Sequence, residues 1–117
     1  EVGAGCAMAA AAISQLIRGN LDEIEYAAEI AMEHHLGLTC DPVGGYVIIP
    51  CIERNGVASL RARDAAYLSK SIVNIKKPRV SFDDVVYTMN YTGEKIAIEL
   101  KETSLGGLAT VVKIGHQ

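Results

Sequence analysis

The stretch Leu38–Asn55, LTCDPVGGYVIIPCIERN, separates two helical regions of the sequence and carries two of its three cysteines. Asp41-Pro42 and Gly44-Gly45 lie between Cys40 and Cys51. Proline fixes φ and lacks an N–H donor, whereas glycine readily adopts positive φ. Residues 38–46 are therefore predicted to form a loop that reverses the chain.

A reversal at this point has a chemical consequence for the two thiols. On a continuous helix they would be about 16 Å apart, at a rise of ~1.5 Å per residue. Two thiolates that share one tetrahedral metal ion lie only about 4 Å apart. The Pro-Gly loop would permit Cys40 and Cys51 to serve one metal site. The alternative from spacing alone is two small buried free thiols, and Cys6 is predicted to be a third thiol buried in a tight helix contact.

The region before the loop predicts two helices. Residues 4–18 are rich in alanine, the best helix former, and Gly19 is expected to end this helix. Asn20 and Glu23 have the spacing of a capping box for a helix over residues 21–36. Its apolar side is predicted to be Leu21, Ile24, Ala27, Ala28, Ala31 and Met32, with Asp22, Glu25, Glu29 and Glu33 opposite.

The region after the loop predicts three more helices. The first covers about residues 47–54 and the second about 56–74, with an apolar side of Val57, Leu60, Ala65, Leu68 and Ile72. Ser81 is expected to cap the third, which Gly93 interrupts, and whose buried face is Phe82, Val85, Val86, Met89 and Ile96. The tail from Thr103 loses periodicity. The predicted fold class is all-α, a single domain of about five helices with a cysteine-bearing loop and an irregular tail.

Composition excludes several function classes. The 117 residues carry a net charge of −3 without a basic stripe, which disfavours nucleic-acid binding. No apolar run approaches the ~20 residues of a membrane span. An odd number of cysteines cannot form a fully paired disulfide framework, so a reducing cytoplasm is the expected compartment. Since the sequence starts within a helical pattern and without methionine, we expect residues 1–117 to be one domain of a longer chain.

Three stretches, EVGAGCAMAAAA, AAEIAMEHHLGLTCDPVGGYVIIPCIERN and KETSLGGLA, together resemble the C-terminal part of the iron–sulfur-dependent L-serine dehydratases. The resemblance covers Glu1 to about Ala109. It implies a [4Fe–4S] cluster held by three cysteines, two of which fall on Cys40 and Cys51. The third belongs to a Gly-Cys-Gln stretch that would precede Glu1. Cys6 matches a cysteine that the family does not use as a ligand.

The resemblance also implies a reaction and partners. The open iron of the cluster acts as a Lewis acid on the hydroxyl of L-serine. Loss of the α-proton and of water then leads to pyruvate and ammonia. The family's base and most substrate contacts lie upstream, so no catalytic residue is assigned here. The implied partners are L-serine and the remainder of the dehydratase, namely an upstream catalytic segment and a beta domain or subunit, in a homo- or hetero-oligomer.

Departures from the family pattern concern two places. Ile48 stands where the family has glutamine, and the sequence ends in His116-Gln117 without the terminal cysteine of some members. These departures put in doubt whether the tail guards the open iron.

Eight further positions have predicted roles. One residue of the pair His34-His35 is expected to be buried and the other solvated. Asp41 is expected to form an Asx turn with its own loop, and Arg54 a structural ion pair. Lys101-Glu102 is expected to be a solvated helix end. By the resemblance, Thr103 and Ser104 are expected to line the cleft.

Two alternatives remain open. A non-enzymatic helical interaction module would leave the cysteines inert, and a zinc site would use them as ligands.

Overall fold

The computed structural model describes residues 1–75 and 77–112. Its helices are α1 (Val2–Leu16), α2 (Leu21–Glu33), α3 (Cys51–Ile72), α4 (Phe82–Lys95) and the short α5 (Leu108–Val111), with 3₁₀ turns at Val43–Gly45 and Ile98–Leu100. No β-strand occurs in either described range, so the predicted all-α class is confirmed. No described helix combines the length and apolar character needed to cross a membrane. The predicted tail end at His116-Gln117 lies outside the described residues.

The core is a three-helix layer of α1, α2 and α3 built mainly from alanine. Its buried members are Cys6, Ala10, Ala27, Ile30, Ala31, Ala58, Ala62, Ala65 and Ala66. Small side chains let helix backbones approach closely, so a dense core forms with few large residues. A smaller cluster of Ala7, Ala28, Met32 and Val85 joins α4 to α1 and α2.

Local capping signals in the sequence are confirmed. Asn20 Oδ1 accepts the N–H of Glu23 at 2.9 Å, and the Glu23 carboxylate accepts the N–H of Asn20 at 3.2 Å. Ser81 and Asp84 form the same reciprocal pair at the start of α4. Each pair satisfies N–H groups that the first helical turn leaves unpaired.

The helix boundaries differ from prediction in three places. The expected helices over 47–54 and 56–74 are one helix, α3, which runs through Gly56 without interruption. A single glycine costs a helix only about 1 kcal/mol, so tertiary packing can override it. For the same reason α4 passes through Gly93 and ends at Lys95. The tail, predicted to be irregular, contains the short helix α5.

The end of α1 also differs. The helix stops at Leu16, and Arg18 rather than Gly19 adopts positive φ, at 62°. A steric constraint, and not positive φ, explains the glycine at position 19. A Cβ at this position would lie 2.8 Å from the carbonyl oxygen of Ser14, so only glycine allows this close approach.

The predicted buried face of α3 is wrong for three large residues and right for Ala65, while Ile72 is partly buried. Val57, Leu60 and Leu68 are exposed, at 51%, 61% and 45%, while α3 buries Ala58, Ala62, Ala65, Ala66 and Ser69. Hydropathy ranks leucine above alanine, but the close spacing to α1 and α2 admits only small side chains. A similar exchange occurs in α2, where Leu21 is exposed and Glu29, predicted to face solvent, is buried.

Candidate functional site

The cysteine loop is closed by its own backbone. Gly44 and Gly45 in the 3₁₀ turn have φ of 68° and 76°, values that favour glycine. The N–H of Val43 donates to the carbonyl of Ile49 at 2.9 Å. Cys40 lies just before this closure and Cys51 just after it, so the chain reversal predicted from Pro42 and the glycine pair is present.

Each cysteine is positioned by a different element. The N–H of Cys40 donates to the carbonyl of Leu100 at 2.9 Å, and Cys40 forms an isolated parallel bridge with Lys101. The segment after α4 therefore holds the first cysteine. Cys51 is the first residue of α3, at the positive end of the helix dipole.

Both cysteine side chains are partly buried and line one cleft of about 440 Å³. Glu1, Val2 and Gly3 at the start of α1 line the same cleft. A side chain on Gly3 would collide with His35 and Met89, each 2.9 Å away, so glycine allows α1 to approach these residues. The start of α1, the cysteine loop and the start of α3 thus meet at one place.

Asp41 connects the cysteine loop to two distant parts of the chain. Its Oδ1 accepts hydrogen bonds from Arg54 Nη1 and Thr39 Oγ1, both at 3.2 Å, and Oδ2 accepts the N–H of Leu108 at 2.7 Å. Burial alone would raise the pKa of Asp41, but these hydrogen bonds and the charge of Arg54 lower it below the ordinary value. The structural ion pair predicted for Arg54 is confirmed. The predicted Asx turn is wrong, because the bound amide belongs to the tail.

Gly107 allows the tail to reach Asp41. It has a φ of 62°, and a Cβ there would overlap the Asp41 carboxylate. Only a residue without a side chain permits Leu108 to donate its N–H to that carboxylate from this position.

The prediction for the histidine pair is confirmed. His34 is exposed and His35 is buried, with Nδ1 of His35 lying 2.7 Å from the carbonyl oxygen of Ala31. Because a carbonyl oxygen can only accept a hydrogen bond, Nδ1 is the donor in this contact. His35 also lines the cysteine cleft.

The expectation for Cys6 is confirmed as well. Its thiol is buried among α1 and α3 and donates to the carbonyl of Ala58 at 3.2 Å. Burial raises the pKa of this thiol in spite of the nearby charge of Arg61. Cys6 does not line the cleft that Cys40 and Cys51 share.

Predictions for the positions near the cleft have mixed outcomes. Lys101 and Glu102 are exposed and follow a 3₁₀ turn, which confirms the expected solvated helix end, and both also line the cleft. Thr103 and Ser104 do not line it, and the Thr103 hydroxyl donates instead to the carbonyl of Glu99 at 2.6 Å. Ile48 is half-exposed outside the lining. The contact of Lys101 with Cys40 spans most of the chain and has no local sequence signal.

Within residues 1–75 and 77–112, the cleft offers two thiols as candidate metal ligands, those of Cys40 and Cys51. No group of three or more His, Cys, Asp or Glu side chains is arranged to hold a metal ion there. Cys40 and Cys51 line one cleft, and their function as ligands stays a prediction.

Comparison with known proteins gives a family match. The family described as "Serine dehydratase alpha chain" matches residues 1–109. The L-serine dehydratase of Streptomyces coelicolor is 51% identical over 109 residues, which cover 93% of this chain and 24% of that protein. L-serine dehydratase 1 of Escherichia coli is 50% identical over 113 residues, 97% of this chain and 24% of its own length. L-serine dehydratase TdcG of the same organism is 49% identical over 115 residues, which cover 98% of this chain and 25% of that protein. The chain spans about a quarter of the length of these relatives.

Proposed function

The chain belongs to the serine dehydratase alpha chain family, and we propose that it forms the cluster-binding part of an enzyme that converts L-serine to pyruvate and ammonia. The observation that carries this proposal is the shared cleft of Cys40 and Cys51 beside the start of α1. Two thiols on one loop, with turn residues that bring them to the same cleft, suit an iron–sulfur centre.

The residues fit a [4Fe–4S] cluster as a partial ligand set. Cys40 and Cys51 would supply two thiolates. The third ligand is expected in the Gly-Cys-Gln stretch that, by resemblance, precedes Glu1. Glu1 and Val2 lie at the cleft that holds both thiols, which supports a ligand reaching the site from that side.

The protein supplies electrostatic support for the two thiolates. Cys51 lies at the N-terminus of α3, where the helix dipole stabilises negative charge. Asp41 follows Cys40 and is compensated by the Arg54 guanidinium at 3.2 Å, so it adds little uncompensated negative charge near the loop. The hydrogen bond from the Val43 N–H to the Ile49 carbonyl closes the loop between the two cysteines.

When bound, the cluster would provide a Lewis-acidic iron that activates the β-hydroxyl of the substrate as a leaving group. Lys101 places a cationic side chain at the cleft, where it would attract the carboxylate of L-serine. We assign the abstraction of the α-proton to the part of the enzyme outside residues 1–117. The proposed partners are therefore L-serine and that remainder, and the proposed compartment is the reducing cytoplasm.

The test uses the full-length protein, reconstituted with iron and sulfide without oxygen. We expect about four irons per chain, a brown colour that fades in air, and production of pyruvate from L-serine. Cys40→Ser and Cys51→Ser should each lose iron and activity. Cys6→Ser is the matched control and should retain both, because Cys6 lies in the core away from the cleft.

Other outcomes identify the alternatives. A colourless protein that contains zinc by elemental analysis would indicate a zinc site. A protein without metal and without lyase activity would indicate a structural helical module. A panel of β-substituted amino acids, including L-cysteine, tests substrate preference on the same preparation.

A further inference from the structure

A second cleft, of about 520 Å³, lies between the first half of α2, the connector that follows α3 and the start of α4. Its described lining shares no residue with that of the cysteine cleft. The proposed reaction therefore leaves it without a role.

Glu29 is the unusual member of this lining. Its side chain is only 2% exposed, yet it borders the cleft. Among the described residues, none hydrogen-bonds its Oε1 atom. Leaving a buried acceptor unsatisfied is destabilising, and more so for a charged group. A carboxyl group held in this way gains most from a partner that enters the cleft.

The charges around Glu29 select the kind of partner. Three more carboxylates line the cleft, from Asp22, Glu25 and Asp84, against the cations of Lys77 and Arg79. The excess is negative, so an anion would be repelled. Asp84 is already engaged by Ser81, which leaves the carboxylates of α2 to face a ligand.

The remaining lining is apolar and comes mainly from the connector and α4. It consists of Val73, Pro78, Val80 and Phe82, with Tyr26 on α2. Hard metal ions such as calcium prefer six to eight oxygen ligands, which this lining does not provide. A cation with a short aliphatic body matches both the carboxylates and the apolar walls.

We propose that this cleft binds a primary alkylammonium group, with Glu29 as its partner: the carboxyl group gives up its proton to solvent when the ammonium binds. The group has two possible sources, a free amine or a lysine side chain from the rest of the dehydratase. The second source rests on the proposed function, because it requires the larger enzyme. The ammonium would donate to Oε1 of Glu29 while its methylene groups pack against the apolar walls.

The first arm of the test measures binding of n-butylammonium to the full-length protein by calorimetry, with 1-butanol as the neutral control. We expect binding to the wild type, and a loss of about tenfold or more in Glu29→Gln, since a hydrogen bond to a charged group contributes about 1.5–3 kcal/mol. Asp64→Asn, at an exposed carboxylate on α3 outside the lining, is the matched control and should bind nearly as well. Binding that survives unchanged in Glu29→Gln overturns the proposal.

The second arm detects a lysine that already fills the cleft. A zero-length carbodiimide reaction should then join Glu29 to a lysine outside residues 1–117, identified by peptide mass spectrometry and absent in Glu29→Gln. A cross-link to Lys77 instead would mean that the connector itself neutralises Glu29, which overturns the proposal. Failure of both arms also overturns it. Neither arm requires a cluster or serine turnover, so failure of the proposed function would be recognised separately.

Discussion

Asp41 and Leu108 are joined by a 2.7 Å hydrogen bond from the Leu108 N–H to Oδ2 of the carboxylate, across 67 residues of sequence. Asp41 directly follows Cys40, so this bond attaches the tail to the cysteine loop. Arg54, at the start of α3, donates to the other carboxylate oxygen and to the carbonyl of Thr39. One buried carboxylate thus connects the cysteine loop, the start of α3 and the tail.

Asp41→Asn should weaken this junction. The variant removes the charge that Arg54 neutralises. The asparagine side chain has one acceptor oxygen, so it can accept from Arg54 or from the Leu108 N–H, and its NH₂ group then faces the other donor. Because hydrogen bonds to charged groups contribute about 1.5–3 kcal/mol, we expect the free energy of unfolding to fall by about 2–3 kcal/mol. Urea denaturation measures it. Asp64→Asn, at an exposed carboxylate, is the control. Equal free energies of unfolding for the two variants would contradict the conclusion that Asp41 stabilises the connection between the loop, α3 and the tail.

Gly107→Ala should detach the tail from the loop. Alanine is strained at a φ of 62°, and its Cβ would overlap the Asp41 carboxylate. We expect a loss of about 1–3 kcal/mol and faster hydrogen exchange at the Leu108 amide. Gly5→Ala in helix α1 is the control with the opposite expected sign. A Cβ at Gly5 meets nothing within 4 Å, so this substitution should raise the free energy of unfolding by up to about 1 kcal/mol. A stable Gly107→Ala protein with a protected Leu108 amide would refute the steric argument.

Local chemistry explains what the sequence predicted correctly. The capping pairs of Asn20 and Ser81 act over three residues, and the Pro42 to Gly45 turn acts within one loop, so each is visible in a short stretch. The same turn chemistry led to the prediction that Cys40 and Cys51 approach one site, and both line one cleft.

Contacts between distant segments were not predictable in this way. Nothing near Asp41 indicates a bond to Leu108, and nothing near Lys101 indicates its bridge to Cys40. The choice of buried face in α3 failed for a related reason. Periodicity indicated the side with the large apolar residues, and only the closeness of α1 and α2 decides that the alanine side is buried.

That correction can be tested by comparing two substitutions in α3. Ala62 is fully buried, whereas Leu60 is 61% exposed. Ala62→Leu should lower the free energy of unfolding by about 1–3 kcal/mol or more, because added methyl groups cannot fit between closely packed helices. Leu60→Gln, although it removes a large apolar side chain, should change it by less than about 0.5 kcal/mol in the 117-residue chain. Urea denaturation of both variants gives the comparison, and a larger loss for Leu60→Gln would mean that the predicted face was right.

Glu29 should make the stability of the protein depend on pH. Burial, with the hydrogen bond and charge of Glu33, raises the pKa of Glu29 from 4.5 to about 8. Below pH 4.5 the carboxyl holds its proton in both the folded and the unfolded states. Between pH 4.5 and about 8 the unfolded chain releases this proton while the folded protein keeps it. The contribution of Glu29 to the free energy of unfolding therefore falls as pH rises, by at most about 1.4 kcal/mol per pH unit, and levels off above the folded pKa.

Glu29→Gln should remove this contribution, because glutamine does not titrate in the range. We expect the variant to gain stability relative to the wild type between pH 5 and pH 8 and to show a flatter profile in urea denaturation at a series of pH values. Glu25→Gln controls for the loss of one negative charge on the same helix and should keep the slope of the wild type. A Glu29→Gln profile parallel to that of the wild type would show that the Glu29 carboxyl is already ionised in the folded protein.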